Sequence, residues 1–183
     1  MDKNTISAAA LFGAMAFVLA LVEVPMHLGN PNLGTTPVSF SAVMFIPEIS
    51  FIVGILKGAG ASIASGESYE FAAGIGDALM AVFTFYLLRY VKAEKALVLG
   101  QISRYLFTAS LVALSVSLSM DGGIALFPEK WIDILPALTL SIIANSVVSV
   151  LLYRIIGERT RHWLEVRFGK SNVIRAPQIH NPS

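Results

Sequence analysis

The sequence has no cysteine and only three histidines, His27, His162 and His180, far apart along the chain. Without cysteine there is neither a disulfide framework nor thiolate chemistry. The histidines show no metal-ligand spacing, so no metal is expected. Charge is scarce too. Asp, Glu, Lys and Arg make up 14% of the 183 residues, against about 25% in a soluble domain, and a soluble fold of this size could not cover itself with so few. There is no Gly-x-x-x-x-Gly-Lys, so this chain does not itself cradle ATP phosphates. Gly-x-Ser-x-Gly and His-Glu-x-x-His are missing. So are an adjacent pair of glutamates, as an intramembrane protease would use, and a voltage sensor's ladder of arginines. The residue set argues against an enzyme. A net charge of +1 gives no reason to expect nucleic acid as a partner.

What is abundant is hydrophobicity. Apolar residues form 55% of the chain and come in long runs. At ~20 apolar residues per crossing, the expected fold is all-α: an integral membrane bundle of about six transmembrane helices over residues 1–157. A basic cytoplasmic tail, 158–183, follows, partly disordered over its last ten residues. The spans are expected at 6–26, 38–56, 59–71, 72–90, 96–120 and 132–156, with Lys57-Gly58 as a break and 59–71 as a short element. The first apolar run is too long for a cleaved signal and reads as a retained span. Residues 27–37 carry two Gly, two Pro and two Asn but no Lys or Arg, and read as a structured turn region; His27 reads as a wetted loop residue. Tyr90 and Trp131 suit interface anchors, and Trp163 with Leu164 suits a short amphipathic helix at the lipid surface.

With six alternating spans, one side receives Lys3, Lys57, Arg89, Lys92, Lys95, Arg154, Arg159, Arg161, Arg167, Lys170 and Arg175. Arg104, in the half-span nearest that side, brings the count to twelve, against Lys130 alone opposite. Cationic loops stay in the cytoplasm, so both termini are expected there, in a multi-pass protein of the plasma membrane.

Charges within the hydrocarbon cost ~2.5–3.5 kcal/mol each on insertion scales and need a reason. Asp77 lies about six residues inside the fourth span, ~9 Å from its outer end. It either faces a polar cavity or pairs with a neighbouring helix. Glu48 follows Pro47. It sits harmlessly in a first turn if the helix starts there, or is buried and functional if the helix starts near Val38. Arg104 is expected to snorkel to the inner surface. Asn145, in mid-bilayer, either bridges helices or touches a ligand. Glu67, Tyr69 and Glu70 at an outer helix end read equally as solvated caps. Asn30, Asn32, Thr35, Thr36, Glu70 and Asp77 gather in the outer half, and with Glu48 and Asn145 they form the candidate substrate-binding set. Ala9, Ala10, Gly13 and Ala14 form small-xxx-small pairs that let another helix approach closely, in this bundle or in a partner.

Taken together these features resemble a family. The Ala-rich opening at 8–14 (AAALFGA), the Gly/Pro/Asn loop, Phe40-Ser41 with Ile46-Pro47, the glycine-containing stretch Gly54 to Gly58, and a central Asn145 before a basic tail resemble the substrate-binding S components of energy-coupling-factor (ECF) vitamin transporters. The resemblance covers about residues 5–157. The chain departs from it in having Lys57-Gly58 where many S components carry Gly-Pro. The resemblance implies high-affinity capture of a small water-soluble vitamin or precursor from outside, with the 27–37 loop as a lid. It also implies docking through Ala9, Ala10, Gly13 and Ala14 onto a membrane coupling subunit bound to two ABC ATPases. Those partners would use the ATP, no cofactor being bound by this chain, and toppling in the membrane would carry the substrate inward. The acids of the outer face point to a cationic or amine-bearing ligand, such as a thiamine-like pyrimidine. Two other readings stay open. One is a non-transporting assembly or scaffold protein, whose polar residues only join helices. The other is an intramembrane enzyme, for which only Asp77, with Glu48, offers convergent groups.

Overall fold

A computed structural model describes residues 3–26, 28–169 and 173. His27 and the final ten residues, about which expectations were stated, lie outside the described residues. Eight α-helices follow one another: α1 Lys3–Ala20, α2 Thr35–Met44, α3 Pro47–Ser65, α4 Tyr69–Leu87, α5 Ala93–Ser103, α6 Phe107–Leu118, α7 Phe127–Leu152 and α8 Glu158–Phe168. A single 3-10 turn leads into α7 and a π turn leads out of it. The distribution of polarity is the reverse of a soluble protein's. Leu11, Met15, Val18, Ile63, Leu79, Phe83, Ile143 and Leu151 are exposed, whereas Lys57, Asp77, Gln101, Arg104 and Asn145 are buried. An outer surface of large apolar side chains around an interior that holds buried charges is stable only in oil. The protein is a multi-pass helical membrane bundle, with five helical segments among the described residues long and apolar enough to cross a bilayer.

The expected span at 38–56 is not one helix. Proline disfavours helical backbone in the residue before it. Accordingly Phe45 and Ile46 are extended (φ −125°, ψ 168° and φ −60°, ψ 153°), and α3 begins at Pro47. That leaves α2 ten residues, ~15 Å long, about half a bilayer. Ahead of α2, Gly29, Pro31, Asn32 and Gly34 are buried, so the loop packs against the bundle there. Conversely, Lys57-Gly58 is no break: α3 runs straight through it, so the expected short span at 59–71 is the second half of α3 together with the start of α4.

The reason lies in close packing. A Cβ on Gly58 would lie 2.7 Å from Gly74 Cα, so α3 and α4 touch backbone to backbone there. These glycines serve approach between helices, not chain reversal. The same holds within the first helix. Ala9 and Gly13, two of the expected docking residues, are buried in this chain's own bundle, Gly13 against Leu56 of α3. Ala10 and Ala14 face outward.

One apolar core contains Ala8 and Phe12 of α1, Phe45, Leu88, Ala96, Leu164 and Phe168 of α8, and Val173. The rings of Phe12, Phe45 and Phe168 form a chain, with centroids 5.1 and 5.8 Å apart. The start of α1 and α8 therefore share one end of the bundle. Leu164 points into the bundle while Trp163 stays exposed. A second core of Ala73, Val112, Ile134 and Leu138, with Leu28 and Trp131 against it, sits at the loop end. Lys57 and Arg104 belong to neither end, both being buried within the helices. The cation count among described residues becomes Lys3, Arg89, Lys92, Lys95, Arg154, Arg159, Arg161 and Arg167 against Lys130, eight to one.

Replacing Gly74 by Val puts branched carbons into the backbone of α3. The backbone cannot rotate away, so the cost is at or above the ~1–3 kcal/mol of core overpacking. In detergent, Gly74→Val is expected to lower the thermal midpoint by many degrees or to yield aggregated protein, with lipid-facing Val18→Ala as an unaffected control. An unchanged midpoint for Gly74→Val would contradict the backbone contact.

Candidate functional site

The Gly58–Gly74 contact brings Lys57 and Asp77 onto facing surfaces of α3 and α4. Immediately before Asp77 on α4, Gly76 lies against α6, where a Cβ would be 2.5 Å from Thr108 Cα. Between α5 and α6 the expected single span is interrupted. Ala109 N donates to Arg104 O at 2.9 Å, five residues back, a widened turn of the kind that often marks functional sites. This turn aims Arg104 inward.

Asp77 is the meeting point. Its Oδ2 receives Lys57 Nζ at 3.1 Å and Thr35 Oγ1 at 3.0 Å; its Oδ1 receives Arg104 Nε at 2.7 Å and Thr108 Oγ1 at 2.9 Å. Asp77 is fully buried, and Lys57 and Arg104 are 2% and 3% exposed. Arg104 Nη1 also donates to Gln101 Oε1 (3.3 Å) and Ser141 Oγ (3.0 Å), and Gln101 Nε2 donates to Ser39 Oγ (2.5 Å). One carboxylate thus ties together α2, α3, α4, the α5–α6 junction and α7.

A second network holds the loop. Irregular backbone at membrane depth survives only where protein satisfies its polar groups. Asn145 Nδ2 donates to Asn32 O at 2.9 Å, and Asn145 Oδ1 accepts from Thr36 Oγ1 at 2.8 Å. Asn32 Oδ1 accepts from Gly34 N (3.0 Å), Asn32 Nδ2 donates to Asn30 O (3.1 Å), and Glu70 Oε1 accepts from Asn30 N (3.2 Å). Glu23, whose backbone pairs with Asn32, keeps Oε2 buried without a hydrogen bond among the described residues. Burial first, then the charge of Glu70, push its carboxyl above the ordinary range, with Lys57 acting the other way.

Beneath this loop lies a cavity. It is walled by Gly29, Asn30, Pro31 and Asn32 of the loop, Lys57 of α3, Tyr69, Glu70 and Ala73 of α4, Arg104, Thr108 and Val112, and Ile134, Ala137, Leu138 and Ser141 of α7. With the loop in this position its volume is about 30 Å³, room for a water or two, so a larger solute requires the loop to shift.

Seven of the expected site residues, Asn30, Asn32, Thr35, Thr36, Glu70, Asp77 and Asn145, come together here. Glu48 does not: it is exposed in the first turn of α3, at the opposite end of the bundle, because Pro47 starts that helix. Of the seven, Asn30, Asn32 and Glu70 line the cavity. Asp77, Thr35, Thr36 and Asn145 stand behind its wall, engaged with protein. Of the two expectations for Asp77, a polar cavity or a pairing between helices, the structure shows the second: it holds Lys57 and Arg104, which line the cavity. Arg104 does not snorkel, since its charge is neutralised inside. Lys57 was read as a loop cation, and Thr108 and Ser141 were not singled out. The usable signal was Lys57 standing in the apolar, glycine-containing run of α3, where a cation needs a buried acid. The expectation of a cationic ligand came from surface acids, yet the deepest charges of the cavity are Lys57 and Arg104.

No family model matches the chain, and no curated protein sequence matches it significantly. Among solved structures, the S component of a bacterial ECF transporter has the same fold. The match has a TM-score of 0.65 and 18% identity, and covers 88% of this chain and 99% of that one.

Removing one member of a buried ion pair strands its partners, at ~3–5 kcal/mol. Asp77→Asn is therefore expected to be strongly destabilising in detergent. Adding Lys57→Met to it is expected to restore part of the loss, because one stranded cation is gone. Additive losses in the double variant would contradict the ion pair.

Proposed function

We propose that the chain is the substrate-capture subunit of an ECF-type transporter, taking up a small water-soluble vitamin or precursor. The observation that carries this reading is a cavity lined by Lys57, Arg104 and Glu70 beneath a loop that packs into a membrane bundle with the fold of an S component. Such a cavity has no role in a scaffold, whose polar groups would be spent wholly on joining helices. Against an enzyme stands the state of Asp77: all four of its contacts are to protein groups, so it presents no free base.

Orientation follows from charge. The end bearing eight of the cations faces the cytoplasm by the positive-inside rule, which puts both termini inside and the loop, cavity mouth and Lys130 outside. The cavity then opens to the medium. Solute arriving there replaces loop contacts, and the loop closes over it. The sequence has no nucleotide-binding motif, so energy comes from separate subunits: a membrane coupling protein and two ABC ATPases. On α1, Ala10 and Ala14 are the small residues left facing outward for such a partner, Ala9 and Gly13 being used internally.

Native mass spectrometry of protein purified from its own host tests this reading. One small molecule per chain is expected to survive purification. Glu70→Ala is expected to reduce its retention about tenfold (~1.4 kcal/mol), while the thermal midpoint of the ligand-free protein shifts by only a few degrees. Protein that carries no small molecule but holds another membrane protein stoichiometrically would favour the scaffold reading.

A further inference from the structure

The cavity's unused hydrogen-bonding groups identify the chemistry of its occupant. An ammonium has three N–H donors and a guanidinium five. Lys57 gives one to Asp77, and Arg104 gives one to Asp77, one to Gln101 and one to Ser141. Two donors remain on each among the described residues, and both side chains line the cavity. At the loop side, Glu70 is 3% exposed and uses Oε1 to accept from Asn30 N. Its Oε2 accepts nothing among the described residues. Spare cationic donors therefore stand on the α3 and α6 side of the cavity, and a spare carboxylate oxygen stands under the loop.

Charge balance narrows this further. Among the charges that line or directly back the cavity, Lys57 and Arg104 are matched in number by Asp77 and Glu70; the further acid, Glu23, lies outside its wall, with its carboxyl pushed above the ordinary range by burial and by Glu70. Adding a net charge to such a site is costly, because desolvation of an unpaired ion exceeds what distant partners return. A neutral molecule with no poles would leave four donors and an acceptor unmet, which is also costly. A molecule that is neutral overall but bipolar meets both conditions. Val112 and Leu138, in the same wall, suit an apolar body between the poles.

We propose that the substrate is a small zwitterion: a carboxylate bound by Lys57 and Arg104, and an amine or other cationic N–H donor bound by Glu70, joined by a compact apolar body. This rests on reading the cavity as the solute site, and it replaces the purely cationic ligand suggested by the surface acids.

Three probes that share one para-substituted ring and differ in their poles test it on the full chain in detergent: 4-(aminomethyl)benzoate, 4-methylbenzoate and 4-methylbenzylamine. Each is measured by thermal shift and by titration calorimetry at millimolar concentration. The zwitterion is expected to bind most tightly and to raise the midpoint furthest. Lys57→Met is expected to weaken the zwitterion and 4-methylbenzoate about tenfold and to leave 4-methylbenzylamine unchanged; Glu70→Gln is expected to do the opposite. Lys57→Arg keeps the charge and is expected to retain binding, which separates lost chemistry from lost folding. The inference is overturned if the benzylamine equals the zwitterion, if none of the three binds, or if neither variant changes the order. Zwitterion-selective binding without ATP-driven uptake alongside the coupling subunit would remove the transport reading and leave this one. Uptake of a purely cationic solute would do the reverse.

Discussion

A single carboxylate, Asp77, organises the interior of this bundle. Moving a carboxylate out of water costs several kcal/mol even after relaxation, and the cost is recovered only if partners stand at hydrogen-bond distance on every side. Asp77 has four such partners at 2.7–3.1 Å, from α2, α3 and the α5–α6 segment. That requirement explains features that otherwise look unrelated. Helices α3 and α4 must touch at glycines so that Lys57 reaches across. Gly76 must be bare so that Thr108 comes close. The chain between α5 and α6 must widen by a residue so that Arg104 turns inward. Each is a local weakness in a helix, tolerated because the ion cluster binds the elements together at the same depth.

The cluster also determines what the cavity offers. By drawing one donor of Lys57 and one of Arg104 to itself, Asp77 fixes both cations in the cavity wall while two donors on each stay unengaged among the described residues. The loop closes the other side with a separate set of bonds from Asn30, Asn32, Asn145 and Glu70. Each is worth ~0.5–1.5 kcal/mol net, so the loop is held less firmly than the cluster below it. Glu70 belongs to both, since it braces Asn30 and lines the cavity. A solute that takes up Glu70 competes directly with the loop's anchorage, which links occupancy to the position of the lid.

The membrane character, the helical class and the gathering of Asn30, Asn32, Thr35, Thr36, Glu70, Asp77 and Asn145 were legible in the sequence, because polar residues in apolar runs are costly enough to be informative one by one. What was not legible is how the breaks are distributed. Lys57-Gly58 looks like a turn, since glycine and lysine commonly end helices, and only the opposing Gly74 shows that it is a contact surface. Pro47, in contrast, does end a helix, and this sends Glu48 to the far end, away from the site. Arg104 near the end of an apolar run ordinarily snorkels; the widened turn that redirects it is a backbone feature with no residue signature. The small residues of the first helix divide between inner and outer faces, Ala9 and Gly13 against Ala10 and Ala14, by a rotation that spacing alone cannot set.

The absence of cysteine permits a direct test of the central claim, that Asp77 holds two cations facing an externally open cavity. A single cysteine at Ala137, which lines the cavity without making a polar contact, is exposed in intact cells to membrane-impermeant thiosulfonate reagents of equal size and opposite charge. Labelling from outside, with the anionic reagent slowed relative to the cationic one by Lys57→Met, is the result this account requires. An unchanged ratio in that variant, or labelling only from the cytoplasmic side of inverted vesicles, would contradict it.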